Sequence, residues 1–171
     1  MKRRRLLEAG TAVIGSAWVF STLTNQTDPS EQEIMTTTNE QFTVNKTEQE
    51  WREALTPEQF RVLRQHGTER AGTSPLDKVY EAGVYKCAGC GTPLFTADTK
   101  FNSGTGWPSF YAPIEGAIAT KTDRTFFMTR TEVHCATCGG HLGHVFPDGP
   151  KPTGQRYCMN GVALEFVPAE T

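Results

Sequence analysis

Apolar residues recur at helical spacing in only one part of the chain. Within Thr47–Leu55, Trp51 and Leu55 stand four residues apart and define one face of a short helix. Thr56-Pro57-Glu58-Gln59 then opens a second helix, with a capping threonine, a proline at the first helical position and a glutamine placed to reach back to the cap. Phe60 and Leu63 give that helix its core face, and Gly67 supplies a stop. Beyond Gly67 the period changes. The runs Gly83–Cys87, Pro93–Thr96, Thr125–His134 and Val162–Val167 are β-rich and are separated by Gly, Pro and Asp turns. This pattern predicts a short helical section packed on an antiparallel β domain.

The first 46 residues read differently. Residues 1–23 begin with a basic cluster, Arg3-Arg4-Arg5, followed by a mostly apolar stretch from Leu6 to Leu23, which is the order of an export signal. The consecutive arginines resemble a twin-arginine signal. Glu8, Gly10 and Gly15 interrupt the stretch, leaving it short of the roughly 20 apolar residues of a comfortable membrane span. Export to the periplasm or the outer face of the membrane is expected, with residues 6–23 either cleaved or kept as an anchor; a cytoplasmic chain with a basic tail is the alternative. Residues 24–46, rich in Thr, Asn, Gln and Glu, read as a flexible linker, so that the folded domain is expected over residues 47–171.

A chain of 171 residues has room for one domain with a substantial core. Its formal net charge of -2 gives no reason to expect nucleic acid as a partner. The five cysteines divide into four and one. Cys87-Ala-Gly-Cys90 and Cys135-Ala-Thr-Cys138 have the two-residue spacing of zinc knuckles, and each is followed by a glycine, Gly91 or Gly139, whose turn can aim backbone N–H groups at the sulfurs. The 44 residues from Gly91 to His134 are too many for a compact ribbon, but two hairpin ends can meet at a single ion. Four thiolates leave such an ion no open position, so one structural Zn2+ is expected; two disulfides are the competing reading for an exported chain.

The fifth cysteine, Cys158, lies in Gln155–Val167. Read as a strand, this run puts Arg156, Cys158 and Asn160 on one face and Tyr157 and Met159 on the other. A nearby guanidinium favours the thiolate, although a small buried cysteine can equally be mere packing. Gly139-Gly-His-Leu-Gly-His-Val-Phe146 places two of the chain's four histidines, His141 and His144, in a glycine-rich turn as candidate proton donors or, less consistently with a four-cysteine site, metal ligands. In Lys100–Tyr111, Trp107 stands between Gly106 and Pro108, where an indole can wall a methyl or thioether group or join an aromatic core with Phe101, Phe110 and Tyr111.

Taken together, these segments resemble the methionine sulfoxide reductase B family over about Glu50 to Pro168. The resemblance rests on Gly83-Val-Tyr-Lys-Cys-Ala-Gly-Cys-Gly-Thr-Pro-Leu-Phe95, Ser103-Gly-Thr-Gly-Trp-Pro-Ser-Phe110, His141-Leu-Gly-His-Val-Phe-Pro-Asp-Gly-Pro150 and Arg156-Tyr-Cys-Met-Asn160. It implies two antiparallel β-sheets with short N-terminal helices. It also implies reduction of the R epimer of methionine sulfoxide in peptides and proteins, with Cys158 as nucleophile. Cys87, Cys90, Cys135 and Cys138 would be zinc ligands, and Trp107, His141, His144, Arg156 and Asn160 pocket residues. Many members carry a second, resolving cysteine where this chain has Thr105, and often a serine where it has Gly161. With the other four cysteines on metal, oxidised Cys158 must be regenerated by a thioredoxin-like protein or a small thiol.

Two other classes share parts of this pattern. A zinc-stabilised binding module would make Cys158 dispensable, and a thiol peroxidase would need Cys158 but no methyl pocket. For the leading segment, cell fractionation is the direct check: the native full-length protein is expected with the membrane or beyond it, and its recovery as a soluble cytosolic protein would refute the export expectation.

Overall fold

The computed structural model describes residues 42–125 and 128–170. The expected export segment, most of the expected linker, and Phe126 and Phe127 within the predicted strand Thr125–His134 lie outside the described residues. Among the described residues no helix is long and apolar enough to cross a membrane.

The two helices form where the sequence predicts them, the first from its apolar spacing and the second from its capping threonine. Helix α1 spans Glu48–Ala54 and α2 spans Pro57–Gln65, and each carries a complete capping box, Thr47 with Glu50 and Thr56 with Gln59. In both cases the threonine oxygen takes an otherwise orphaned helix N–H and the acidic or amide side chain returns to the cap's own N–H. The stop of α2 differs from expectation. It is His66, at φ 53°, that adopts the left-handed cap, and Gly67 follows, donating its N–H to the Arg61 carbonyl. The buried stripe also includes Val62 besides Phe60 and Leu63.

Nine strands follow, all paired antiparallel. Strands β1 (Gly83–Cys87), β2 (Pro93–Thr96) and β9 (Leu164–Pro168) make a three-stranded sheet in the order β2-β1-β9. Strands β3 (Lys100–Phe101), β4 (Ser109–Phe110), β5 (Ile118–Asp123), β6 (Arg130–Cys135), β7 (His141–Phe146) and β8 (Arg156–Met159) make a six-stranded one in the order β3-β4-β8-β7-β6-β5. The architecture is therefore mainly β, two antiparallel sheets with two short helices.

Three sequence expectations need correction. Among the described residues of the predicted strand Thr125–His134, the strand is found from Arg130 on, and Thr125 instead sits in a turn where the Asp123 carboxylate accepts its N–H and hydroxyl. The segment read as a glycine-rich turn is, over His141–Phe146, a strand, and its one glycine, Gly143, serves close approach to a neighbour. The single run Gln155–Val167 is two strands in different sheets, broken by a 3-10 turn at Gly161–Ala163.

The core lies between the sheets and under the helices. Tyr85, Leu94, Phe95, Phe110, Leu142 and Met159 are fully buried, each contributing roughly 1.5–3 kcal/mol of apolar transfer energy. Phe110 stacks on Phe95 at 4.3 Å between centroids and meets Tyr85 edge-on at 4.9 Å. Upstream of Thr47, packing reaches back to Phe42, whose ring meets His134 edge-on at 5.9 Å, and to Val44, which donates to the Thr137 carbonyl.

Gly143 decides how closely β7 can approach β8. A Cβ there would run into the Cys158 carbonyl and the Met159 backbone. Gly143→Ala is expected to cost about 1–3 kcal/mol in a denaturant titration, the range for forced overpacking, and to displace the strand that carries Cys158.

Candidate active site and metal centre

The two knuckles meet. Cys87 and Cys90 come from the end of β1 and the turn after it, Cys135 and Cys138 from the end of β6 and the turn after it, so one pair belongs to each sheet. Their four sulfurs lie within 4.8 Å of one another, with Cys87 to Cys138 at 3.7 Å and Cys90 to Cys135 at 3.6 Å. A disulfide needs about 2.05 Å, so the paired-disulfide reading fails, and all four thiols are free. Zn–S bonds of about 2.3 Å in a tetrahedron set sulfurs about 3.8 Å apart, close to the observed spacing. Hydrogen bonds from Cys135 push the Cys87 and Cys138 thiols up and pull Cys90 down, so the four sulfurs cannot all carry charge unless a cation joins them. The donor set fits a closed, structural metal site.

The glycines after each knuckle do adopt left-handed conformations, Gly91 at φ 74° and Gly139 at φ 68°. Their N–H groups donate to the Cys87 and Cys135 carbonyls, however, not to sulfur. Helices α1 and α2 close over this centre, Trp51 and Leu63 packing on Gly89, Leu63 on Gly140, and Arg64 donating to the Cys138 carbonyl at 2.9 Å.

Cys158 sits in the middle of the larger sheet. Ser109 on β4 and His144 on β7 are its direct cross-strand partners, so the three side chains form a row on one face. A cavity of about 130 Å³ opens on that face, lined by Thr68, Trp107, Arg130, His144, Phe146, Cys158 and Asn160. The structure thus brings Cys158, His144, Asn160 and Trp107 to one cavity. Trp107 is not part of the aromatic core around Phe110; it lines the cavity, and its indole N–H donates to the Glu69 carbonyl at 3.2 Å.

His141 and Arg156 do not line that cavity. Residues three apart on a regular strand face opposite ways, but the β6–β7 register slips at Val133/His134, leaving Leu142 unmatched. This bulge brings the His141 and His144 rings to 5.4 Å, while His141 itself is buried and turned to Glu132, Nδ1 to Oε1 2.8 Å. Arg156 is held by Asp148 at 2.8 and 2.9 Å and lies over the Phe146 ring. Its guanidinium still favours the Cys158 thiolate, as expected, but does not outweigh burial. Burial pushes the Cys158 thiol up, and Thr105, Arg156 and Ser109 only partly offset it.

His144 is shifted the other way. Burial lowers it, against the hydrogen bond of its Nε2 to Asp123 at 2.9 Å. Both shifts disfavour a thiolate–imidazolium ion pair between Cys158 and His144. Asp123 is fixed in turn by Thr125 and by Arg130 at 2.7 Å, and these hydrogen bonds with that of His144 hold its carboxyl well below the usual carboxylate range.

Several of these residues escaped the sequence reading. Glu69 is buried and joins three walls of the site. Its carboxylate accepts the Gly161 and Val162 N–H groups, its own N–H donates to Asn160 Oδ1, and its carbonyl receives Trp107. Arg130 lines the cavity, and its buried Nε has no hydrogen-bond partner among the described residues. Thr105 Oγ1 lies 3.9 Å from Cys158 Sγ and is hydrogen-bonded to Ser103, which is bonded to Ser109. Only Thr105 had a sequence signal, its place in Ser103-Gly-Thr-Gly-Trp107.

A raised thiol makes a measurable claim about Cys158. Its alkylation rate by iodoacetamide, followed on the Cys158 peptide by mass spectrometry, should climb with pH through a midpoint above the roughly 8.5 of free cysteine. A midpoint below that value would show that Arg156 outweighs burial.

Residues 55–168 match the SelR domain family. The chain is 57% identical over 126 residues to a peptide methionine sulfoxide reductase MsrB of Agrobacterium fabrum, an alignment covering 73% of this chain and 93% of that one. Similar proteins of the same description occur in Leptospira interrogans, 54% identical with 73% and 96% covered, and in the archaeon Methanosarcina barkeri, 56% identical with 76% and 92% covered.

Proposed function

The chain belongs to the methionine sulfoxide reductase B family, and from that premise we propose that it reduces the R epimer of methionine sulfoxide in peptides and proteins. The observation that carries the reading is the cavity that joins a thiol, an imidazole and an indole wall, Cys158, His144 and Trp107. The S-methyl group packs against Trp107, which Glu69 holds by its indole N–H. The sulfoxide oxygen faces the polar side, where Arg130 and Asn160 line the cavity.

The chemistry needs a thiolate only when substrate is present. The Cys158 proton passes to His144, whose lowered basicity makes the imidazolium a ready donor, and from there to the sulfoxide oxygen. Cys158 sulfur attacks the sulfoxide sulfur, the oxygen is transferred to Cys158, methionine leaves reduced, and the enzyme holds a sulfenic acid. Asp123 keeps His144 oriented throughout. A first external thiol then displaces water to form a mixed disulfide on Cys158, and a second releases the free enzyme; a thioredoxin-like protein supplies both thiols from one molecule.

Thr105 supports this last step. It occupies the place beside Cys158 where many family members carry the resolving cysteine, and a hydroxyl cannot form a disulfide. The four knuckle cysteines are engaged with one another, and Zn2+ is the ion that a four-thiolate tetrahedron suits best.

The test is a single turnover with methionine-R-sulfoxide in the absence of reductant. Wild type should release one methionine and acquire a dimedone adduct on Cys158, while Cys158→Ser should release none and keep its metal. An internal disulfide between Cys158 and any knuckle cysteine would sink the one-cysteine cycle. Equal turnover of the S epimer would sink the stereochemical assignment, and reduction of hydroperoxide alone would favour a peroxidase.

A further inference from the structure

We propose that His66, Glu132 and His141 form a second metal site, separate from the four sulfurs, that takes one divalent transition ion of borderline softness such as Zn2+, Co2+ or Ni2+. The ligand atoms are His66 Nδ1, Glu132 Oε1 and His141 Nδ1, which all lie within 4.8 Å of one another. The two nitrogens stand 3.0 Å and 2.8 Å from the same carboxylate oxygen. Metal–ligand bonds of about 2.1 Å place neighbouring donors about 3.0 Å apart at right angles and about 3.4 Å apart in a tetrahedron, so the two spacings are close to those around one ion. Two imidazoles and a carboxylate are a donor set that suits such ions and leaves positions free for water.

Three features besides spacing point to a ligand. Glu132 and His141 are buried, at 4% and 2% exposure, and so are pre-positioned, whereas His66 is exposed and gives access from solvent. A groove of about 530 Å³ passes along all three and offers room for the ion and its waters. Finally, His66 is the one non-glycine residue with positive φ among the described residues. A left-handed helix cap is more easily filled by glycine or asparagine, yet it is this conformation that turns the His66 ring, 5.3 Å from the His141 ring, onto Glu132.

The carboxylate's other oxygen receives Lys121 at 3.3 Å, which fixes its orientation but opposes a cation. With no ion, burial raises Glu132, and hydrogen bonds from His141 and His66 more than offset this, holding it below the usual range. Both imidazoles thus donate to one oxygen. An entering ion takes the place of those two shared protons, and each neutral imidazole then carries its proton on Nε2 instead. His144 is not a ligand, because its Nε2 is committed to Asp123.

The experiment titrates Co2+ into full-length protein whose four-sulfur site is already filled with Zn2+, counting bound cobalt by dialysis and recording its visible spectrum. One additional Co2+ is expected, without sulfur-to-cobalt charge-transfer bands. His66→Ala, at an exposed position outside the catalytic cavity, should keep its folded circular dichroism and bind the extra ion at least about tenfold more weakly, as should Glu132→Gln. No cobalt beyond the sulfur site, cobalt with thiolate bands only, or extra cobalt retained at wild-type affinity in His66→Ala would each overturn the proposal.

Discussion

Two β-sheets that share only part of their core need something to fix their relative position, and here the four-sulfur centre has that role. One knuckle ends β1 of the small sheet and the other ends β6 of the large one, so the cluster is a joint between sheets and not an ornament of either. The helices seat on it through Trp51, Leu63 and Arg64, and Phe42 and Val44 close its second side. Its loop-closing effect is large because the pairs are far apart in sequence, and an ion that binds only the folded arrangement adds its binding energy to folding. Everything on the opposite part of the large sheet inherits this alignment.

What the sheet then presents is a polar row. Ser109, Cys158, His144, Glu132 and Lys121 face one another in register across β4, β8, β7, β6 and β5. The bulge at Leu142 adds His141 to this face, and the left-handed turn after α2 adds His66 from above. The row divides into two neighbourhoods. Around Cys158 burial dominates and charges are suppressed; around Glu132 a carboxylate is kept ionised by imidazole and ammonium partners. Gly143, by letting β7 come close to β8, sets the distance between the chemical half and its backbone support.

Much of this was legible in residue order, and the unreadable parts have a common cause. The helices could be read because Thr47, Thr56 and their partners three residues on act locally, and the knuckles because cysteine spacing is itself a geometric statement. Alternation correctly placed Cys158 opposite Tyr157 and Met159. The strand at His141–Phe146 was hidden because Gly143 answers to a neighbouring strand, which no local pattern records. Glu69 and Asp123 were invisible for the same reason: Glu69 acts on Asn160 and Gly161 some ninety residues away, and Asp123 on His144 twenty-one away. Arg156 was read beside Cys158 and does favour its thiolate, but the sequence did not reveal that Asp148 engages it as well.

The upward shift of the Cys158 thiol has a consequence for survival in the environment where such a protein works. Oxidants that damage methionine also attack cysteine, but they attack the thiolate, and successive attacks lead to sulfinic and sulfonic forms that ordinary thiols do not reverse. A half-buried Cys158 whose thiol is pushed up by desolvation exposes less thiolate to passing oxidant than a free cysteine would. The same desolvation that makes the nucleophile reluctant is thus a form of self-protection: the repair enzyme is selective about when it becomes reactive as well as about what it reacts with.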